Sequence, residues 1–224
     1  MSDSRSRPVR GSDLSTARTP EADALPRPRK RPVQARARFT VQAIYDAYVR
    51  IWRRGGPDAL TMRALADESG FAIGTIYEYF PNKAALHSGY VRHVMDTLRA
   101  RIREQVVEAG HGPWREQLAR LVEITCAADG DAAFFDTDMH YLEARIAAPE
   151  HHQRSFDALA DVWCDAVAGW DDLVPQPAPE RVRMLIFLVW SAMRYRLLAD
   201  PVKTDEALWL AEIREICERT LAPA

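Results

Sequence analysis
The sequence predicts an all-α protein in two parts, a three-helix N-terminal head built on a helix-turn-helix and a larger C-terminal helical bundle. Three observations carry that reading. The stretch from Thr61 to Lys83, TMRALADESGFAIGTIYEYFPNK, holds two short helical patterns joined by a glycine turn. From there to the end, apolar residues recur at helical spacing and are interrupted by Gly and Pro at each expected helix end. Charge is divided along the chain: residues 1–90 carry 15 Lys and Arg against 9 Asp and Glu, and residues 91–224 carry 15 against 23.

The elements follow in order. Residues 1–33 are expected to be a disordered basic arm, because Arg27, Arg29, Lys30 and Arg31 interleave with Pro26, Pro28 and Pro32 and too little apolar area is available to fold. Such an arm is either a solubilising tail or a segment that neutralises phosphates beside the head. The head is placed at 34–90. In it, Met62 to Glu68 forms a helix with Leu65 and Ala66 inward and Thr61 as its cap. Ser69, Gly70 and Phe71 make the turn, where Gly70 can take a positive φ and Phe71 enters the core. A second short helix, about Ala72 to Phe80, buries Ile76 and Phe80 and turns Ile73, Gly74, Thr75, Tyr77 and Tyr79 elsewhere.

That outward face suits DNA better than water. A solvated face would carry Glu, Lys and Gln, whereas Glu78 is the one charge in this helix. Gly74 keeps one side low. Thr75, Tyr77 and Tyr79 offer hydroxyls to phosphates, and Ile73 or the Thr75 methyl can meet a thymine methyl. Lys83 follows Asn82, the expected cap of the next helix, and so stands at the positive end of a helix dipole. Arg38, Thr61 and Arg63 complete the candidate DNA-contacting set.

Over Ala37 to about Asp96 the chain resembles the TetR family of bacterial transcriptional regulators. The residues that carry the resemblance are Gly70, Gly74, Thr75, Ile76, Tyr77, Tyr79, Phe80 and Lys83, with the first-helix run RFTVQAIYDAYVRIWRRGG and the following PNKAALHSGY. Tyr48, Trp52 and Ser69 depart from the family's usual Ala, Phe and apolar residue. The resemblance implies a helix-turn-helix DNA-binding head joined to a helical bundle that binds a ligand and dimerises, the second part spanning 91–224.

Beyond the head, helices are expected at about Asn82–Ala109, Trp114–Ala128, Ala133–Ala147, Glu150–Trp170, Glu180–Ala199 and Asp205–Leu221. The penultimate one is apolar around most of its circumference, through Met184, Leu185, Phe187, Leu188, Val189, Ala192 and Leu197, so it needs covering on two sides. In proteins that resemble this one, the last pair packs on its counterpart in a four-helix dimer interface; the alternative is a helix central to one subunit. Two heads would read successive major-groove faces of a palindromic DNA operator. An effector would bind among the middle helices. Its candidate contacts are Phe134, Phe135, His140, Tyr141, Trp163, Trp170, Met184, Trp190, Met193 and Arg194, with core packing the competing role for each aromatic. They suit a mostly apolar small molecule, aromatic ones included.

Other classes fit poorly. Six histidines show no i, i+4 pair, and Cys126, Cys164 and Cys217 are far apart in apolar patterns, so neither a metal nor a disulfide is expected. No phosphate loop or nucleophile motif suggests an enzyme, no cofactor is implied, and no catalytic residue is assigned. The longest apolar run, Met184 to Trp190, is too short to span a membrane, and no signal core opens the chain, which points to the cytoplasm. Three roles stay open: a ligand-released repressor, a DNA-binding activator or regulator controlled by a protein partner, and a ligand-binding scaffold that no longer uses DNA.

Overall fold
The computed structural model describes residues 35–109, 111–126, 134–198 and 205–222, with only the backbone at 197. The expected basic arm and the segment around Gly130 and Asp131 lie outside the described residues. Among them the chain is all-helical: α1 (Ala35–Ala59), α2 (Met62–Ser69), α3 (Ile73–Tyr79), α4 (Lys83–Ile102), α5 (Trp114–Cys126), α6 (Thr137–Ile146), α7 (Pro149–Ala168), α8 (Pro179–Leu198) and α9 (Glu206–Leu221).

In α1, Ile44, Ala47, Tyr48 and Ile51 recur at helical spacing and are all buried. The helix breaks at Gly55 and Gly56, the latter at φ 63°, and only a short turn follows Pro57. Thr61 caps α2 by accepting from the Ala64 amide at 2.9 Å. Gly70 ends α2 in the left-handed region at φ 73°, and its amide returns to the Ala66 carbonyl. Asn82 caps α4 through the Ala85 amide at 2.8 Å. These three signals sit where the sequence placed them, because each is a local hydrogen bond or a local dihedral.

The expected single helix from Asn82 to Ala109 is interrupted. After α4 the chain widens into a π-helical turn over Arg103–Glu108, which keeps Val106 as well as Ile102 inside the core. The amide of Trp114 at the start of α5 is received by both oxygens of Asp172, at 3.1 and 3.0 Å, from the loop after α7.

Two apolar clusters organise the molecule. The bundle cluster is built on Ile102, Leu118, Leu121, Leu159, Trp163 and Ile186, all at most 1 % exposed. Its polar atoms are paired where Trp163 Nε1 donates to Thr125 Oγ1 at 3.1 Å. The head cluster gathers Tyr48, Trp52, Leu65, Ile76 and Phe80, and it reaches past the head: Met139 of α6 is wholly buried in it, and Phe134, Phe135 and Leu142 pack on it. Polar links reinforce that seam. Trp52 Nε1 donates to Asp136 at 2.8 Å, Asp136 also caps α6 through the Met139 amide, and the Tyr90 hydroxyl donates to the Phe134 carbonyl at 2.6 Å.

Helix α8 has two apolar faces. Val182, Leu185, Ile186 and Val189 are buried in the bundle, while Met184, Leu188 and Tyr195 form an exposed stripe on the other side. Leu208 and Ile216 of α9 are exposed as well. No described helix is long and apolar enough to cross a membrane.

Candidate functional site
Helix α3 is held from behind and bare in front. Ile76 and Phe80, both fully buried, pin it to the head core, and α2 is tied to α1 where Glu68 accepts from Arg50 at 2.7 Å and Arg54 at 2.5 Å. Those two hydrogen bonds, Arg50's foremost, hold the Glu68 carboxyl below the usual carboxylate range. In front, Ile73 is 44 % and Tyr77 41 % exposed, large apolar side chains left in solvent on a seven-residue helix. Gly74 lies between them on the same turn. A Cβ built on Gly74 meets nothing within 4 Å, so neither packing nor the backbone of the protein itself calls for glycine there.

The other expected contacts divide. Arg38, Thr61, Arg63 and Lys83 are exposed, and Thr75 is half-buried. Lys83 is already engaged on one side, donating from Nζ to the Leu60 carbonyl at 2.8 Å; an ammonium has two further donors to offer. Tyr79 requires a correction. It was expected on the outward face, but it is 9 % exposed and packs near the Phe80 ring, with centroids 6.5 Å apart. Helical phase accounts for this: Tyr79 follows Ile76 by three residues and precedes Phe80, so i, i+3 and i+4 share one inward face.

A second site lies in the bundle. Met95 of α4, His140 and Glu143 of α6, Phe156 of α7, and Phe187, Trp190 and Arg194 of α8 line a cleft of about 530 Å³. Glu143 is 8 % exposed and borders both this cleft and a smaller cavity. Arg194 Nη2 donates to Glu143 Oε2 at 2.5 Å and also to His140 Nδ1, while His152 Nδ1 lies 3.5 Å from the other carboxylate oxygen. The guanidinium sits over Trp190 and Phe135, 5.6 and 5.9 Å from their ring centroids. Burial, and then the neighbouring Arg194, depress the His140 pKa below the usual imidazole value, so the ring is neutral and accepts from the guanidinium.

A smaller cavity of about 90 Å³ continues behind Glu143 toward the head, bordered by His87, Ser88 and Val91. His87 is buried, with Nδ1 2.7 Å from the Tyr48 hydroxyl, and burial lowers its pKa to about 4 against the pull of Glu143. Tyr48 and Trp52, the two first-helix departures noted above, thus supply hydroxyl and indole groups that tie the head to α4 and to the start of α6.

Of the ten expected effector contacts, the cleft takes His140, Trp190 and Arg194, with Phe135 beside Arg194. The rest lie elsewhere. Trp163 and Trp170 are core residues, 0 and 1 % exposed. Phe134 packs on the head under the Arg53 guanidinium, 4.5 Å from the ring centroid. Met184 and Tyr141 face outward and Met193 is half-buried, none of them on the cleft. Sequence reasoning missed Glu143, His152, Phe156 and Phe187. The partner of Glu143, Arg194, is 51 residues away, so no local pattern marked the pair. Among the described residues, no group of three or more His, Cys, Asp or Glu side chains is placed to hold a metal.

Residues 35–88 match the family model described as bacterial regulatory proteins, tetR family. The HTH-type transcriptional repressor KstR of Rhodococcus jostii is 34 % identical over 79 residues, 35 % of this chain and 34 % of that protein. The chain spans about a fifth to a third of the length of the curated relatives it matches. A TetR-family transcriptional regulator from Streptomyces coelicolor superimposes with a TM-score of 0.58 at 22 % identity, over 81 % of this chain and 97 % of that one. FadR of Thermus thermophilus, a TetR-family repressor solved in complex with lauroyl-CoA, does so with a TM-score of 0.52 at 21 % identity, over 81 % and 92 %. These two likenesses bear on the fold.

Proposed function
We propose that this chain, whose residues 35–88 match the model of the tetR family of bacterial regulatory proteins, is a cytoplasmic, homodimeric repressor released from a palindromic operator by a small, mostly apolar molecule. The observation that carries the proposal is the bare front of α3: Ile73 and Tyr77 exposed around a glycine that the protein's own packing does not need. In this reading α3 enters the major groove. Ile73, Gly74, Thr75 and Tyr77 meet base edges and phosphates, while Arg38, Thr61, Arg63 and Lys83 flank them on the backbone.

The exposed stripe of Met184, Leu188 and Tyr195, with Leu208 and Ile216 of α9, is the surface that pairs two copies. Large apolar side chains clustered on exposed helix faces mark interaction surfaces. Its burial in a two-fold interface would set two heads on one side of the duplex, about 34 Å apart for successive major grooves. The cleft supplies the effector site. Glu143 stands one helical turn after Met139 on α6, so a ligand that displaces Glu143 moves a residue buried in the head core. A ligand that binds the displaced state better shifts the dimer away from its operator spacing.

The test is recovery of genomic fragments by the purified protein at moderate salt, followed by gel shifts on the best fragment with Tyr77→Ala and Thr75→Ala. Loss of binding with retained helicity supports the reading. No preference for any duplex over random competitor, with or without small molecules extracted from cells, rules it out.

A further inference from the structure
We infer that the molecule taken by the cleft between α4, α6, α7 and α8 is an apolar carboxylate, its acid group held on the open edge of the Arg194 guanidinium; the inference rests on the effector role given to that cleft above. The walls fix the first half. Met95, Phe156, Phe187 and Trp190 line the cleft, with the Phe156 and Phe187 rings edge to face at 5.8 Å. A chain or ring lying there would exchange water for hydrocarbon along its length.

Arg194 fixes the second half. Its side chain is 19 % exposed, sits between aromatic faces, and uses Nη2 alone for both Glu143 and His140. Five N–H groups are available on a guanidinium, and Nε and Nη1 have no protein acceptor among the described residues. The acceptors nearest Arg194 already face donors: one Glu143 oxygen receives Arg194, the other lies 3.5 Å from His152, and neutral His140 receives Arg194 as well. The Arg194 edge of the cleft therefore offers spare donors. A carboxylate answers that pattern in the planar, two-bond geometry a guanidinium favours. A cationic head would sit beside the Arg194 charge, and an alcohol would use one of the donors where a carboxylate uses two.

The experiment compares decanoate, decanol and decylammonium on the full-length wild-type protein, below their aggregation concentrations, by calorimetry and Trp fluorescence. Decanoate is expected to bind at least about tenfold more tightly than decanol, the difference between a charge-assisted pair and a neutral hydrogen bond, with decylammonium weakest. Arg194→Lys, which keeps the charge and loses the fork, should cost decanoate about tenfold and leave decanol unchanged. Glu143→Gln should leave decanoate binding equal or stronger, because a competing carboxylate is gone. Equal affinity for decanoate and decanol, preference for decylammonium, absence of binding by all three, or an Arg194→Lys protein that holds decanoate as well as wild type would each overturn the inference. Ligand-free gel shifts are run alongside: decanoate binding without any DNA binding would remove the regulator reading and keep the cleft chemistry, and the reverse result would do the opposite.

Discussion
Replacing Gly74 with alanine separates what α3 does for the protein from what it does for DNA. The backbone at Gly74 is helical, and an added methyl group meets nothing within 4 Å. Substituting Ala for Gly inside a helix removes chain freedom from the unfolded state, worth about 0.5–1 kcal/mol. The first turn of a short helix places the gain near the lower end. For a chain of this length that raises the melting temperature by about 2 °C. Against a duplex the same methyl stands where the backbone would otherwise approach the groove, and the operator affinity should fall at least tenfold, about 1.4 kcal/mol. Thermal melts and gel shifts on one preparation measure both. Gly70→Ala is the contrasting control, since its φ of 73° makes any Cβ there cost about 1–2 kcal/mol. A Gly74→Ala protein that melts lower than wild type, or that binds its operator unchanged, would refute the assignment of this glycine to DNA.

The two tyrosines of α3 should part company: Tyr77→Ala is expected to change stability by less than about 0.5 kcal/mol and abolish tight DNA binding, whereas Tyr79→Ala should cost about 3 kcal/mol through a core cavity; urea melts showing equal costs would contradict this. Acid should weaken the fold through His87. Its pKa is about 4 when folded and about 6.5 when unfolded, so the unfolded chain binds more protons between those values, and about 3 kcal/mol present above pH 6.5 is lost as the pH falls to 4. His93 and His140, also depressed by burial, act in the same direction. His87→Gln should flatten the curve, and an equally steep loss in that variant would clear His87 of the role. Leu188→Asp on the exposed stripe should yield monomers by light scattering and weaken operator binding without lowering helicity; a dimer of unchanged strength would move the interface elsewhere.

What could be read from the residues alone followed the range of the interaction. Thr61, Gly70 and Asn82 mark helix ends by hydrogen bonds and dihedrals within a few residues, and each behaves as its type and position predict. The inward phase of Ile76 and Phe80 was legible for the same reason, and Tyr79, the last residue of α3, shares that phase at i+3 from Ile76 although it was assigned outward. In the bundle the difficulty is of another kind. Trp163, Trp170 and Trp190 look alike in sequence, yet two are core and one lines the cleft, because the outcome depends on which helices cross there. The pairing of Glu143 with Arg194 belongs to the same class. The departures at Tyr48 and Trp52 were visible from the outset, but their polar partners, 39 and 84 residues away, were not.

The seam that joins Met139, Asp136 and Phe134 to the first helix has a practical bearing on engineering. A graft that transplanted only the first ninety residues onto another sensor would leave a hole where Met139 sits, an indole N–H on Trp52 with its carboxylate removed, and the Tyr90 hydroxyl stripped of its carbonyl. Chimeras should carry the stretch from Phe134 to Leu142 along with the reader, so that the cut falls in the cleft wall and the borrowed part keeps its own floor.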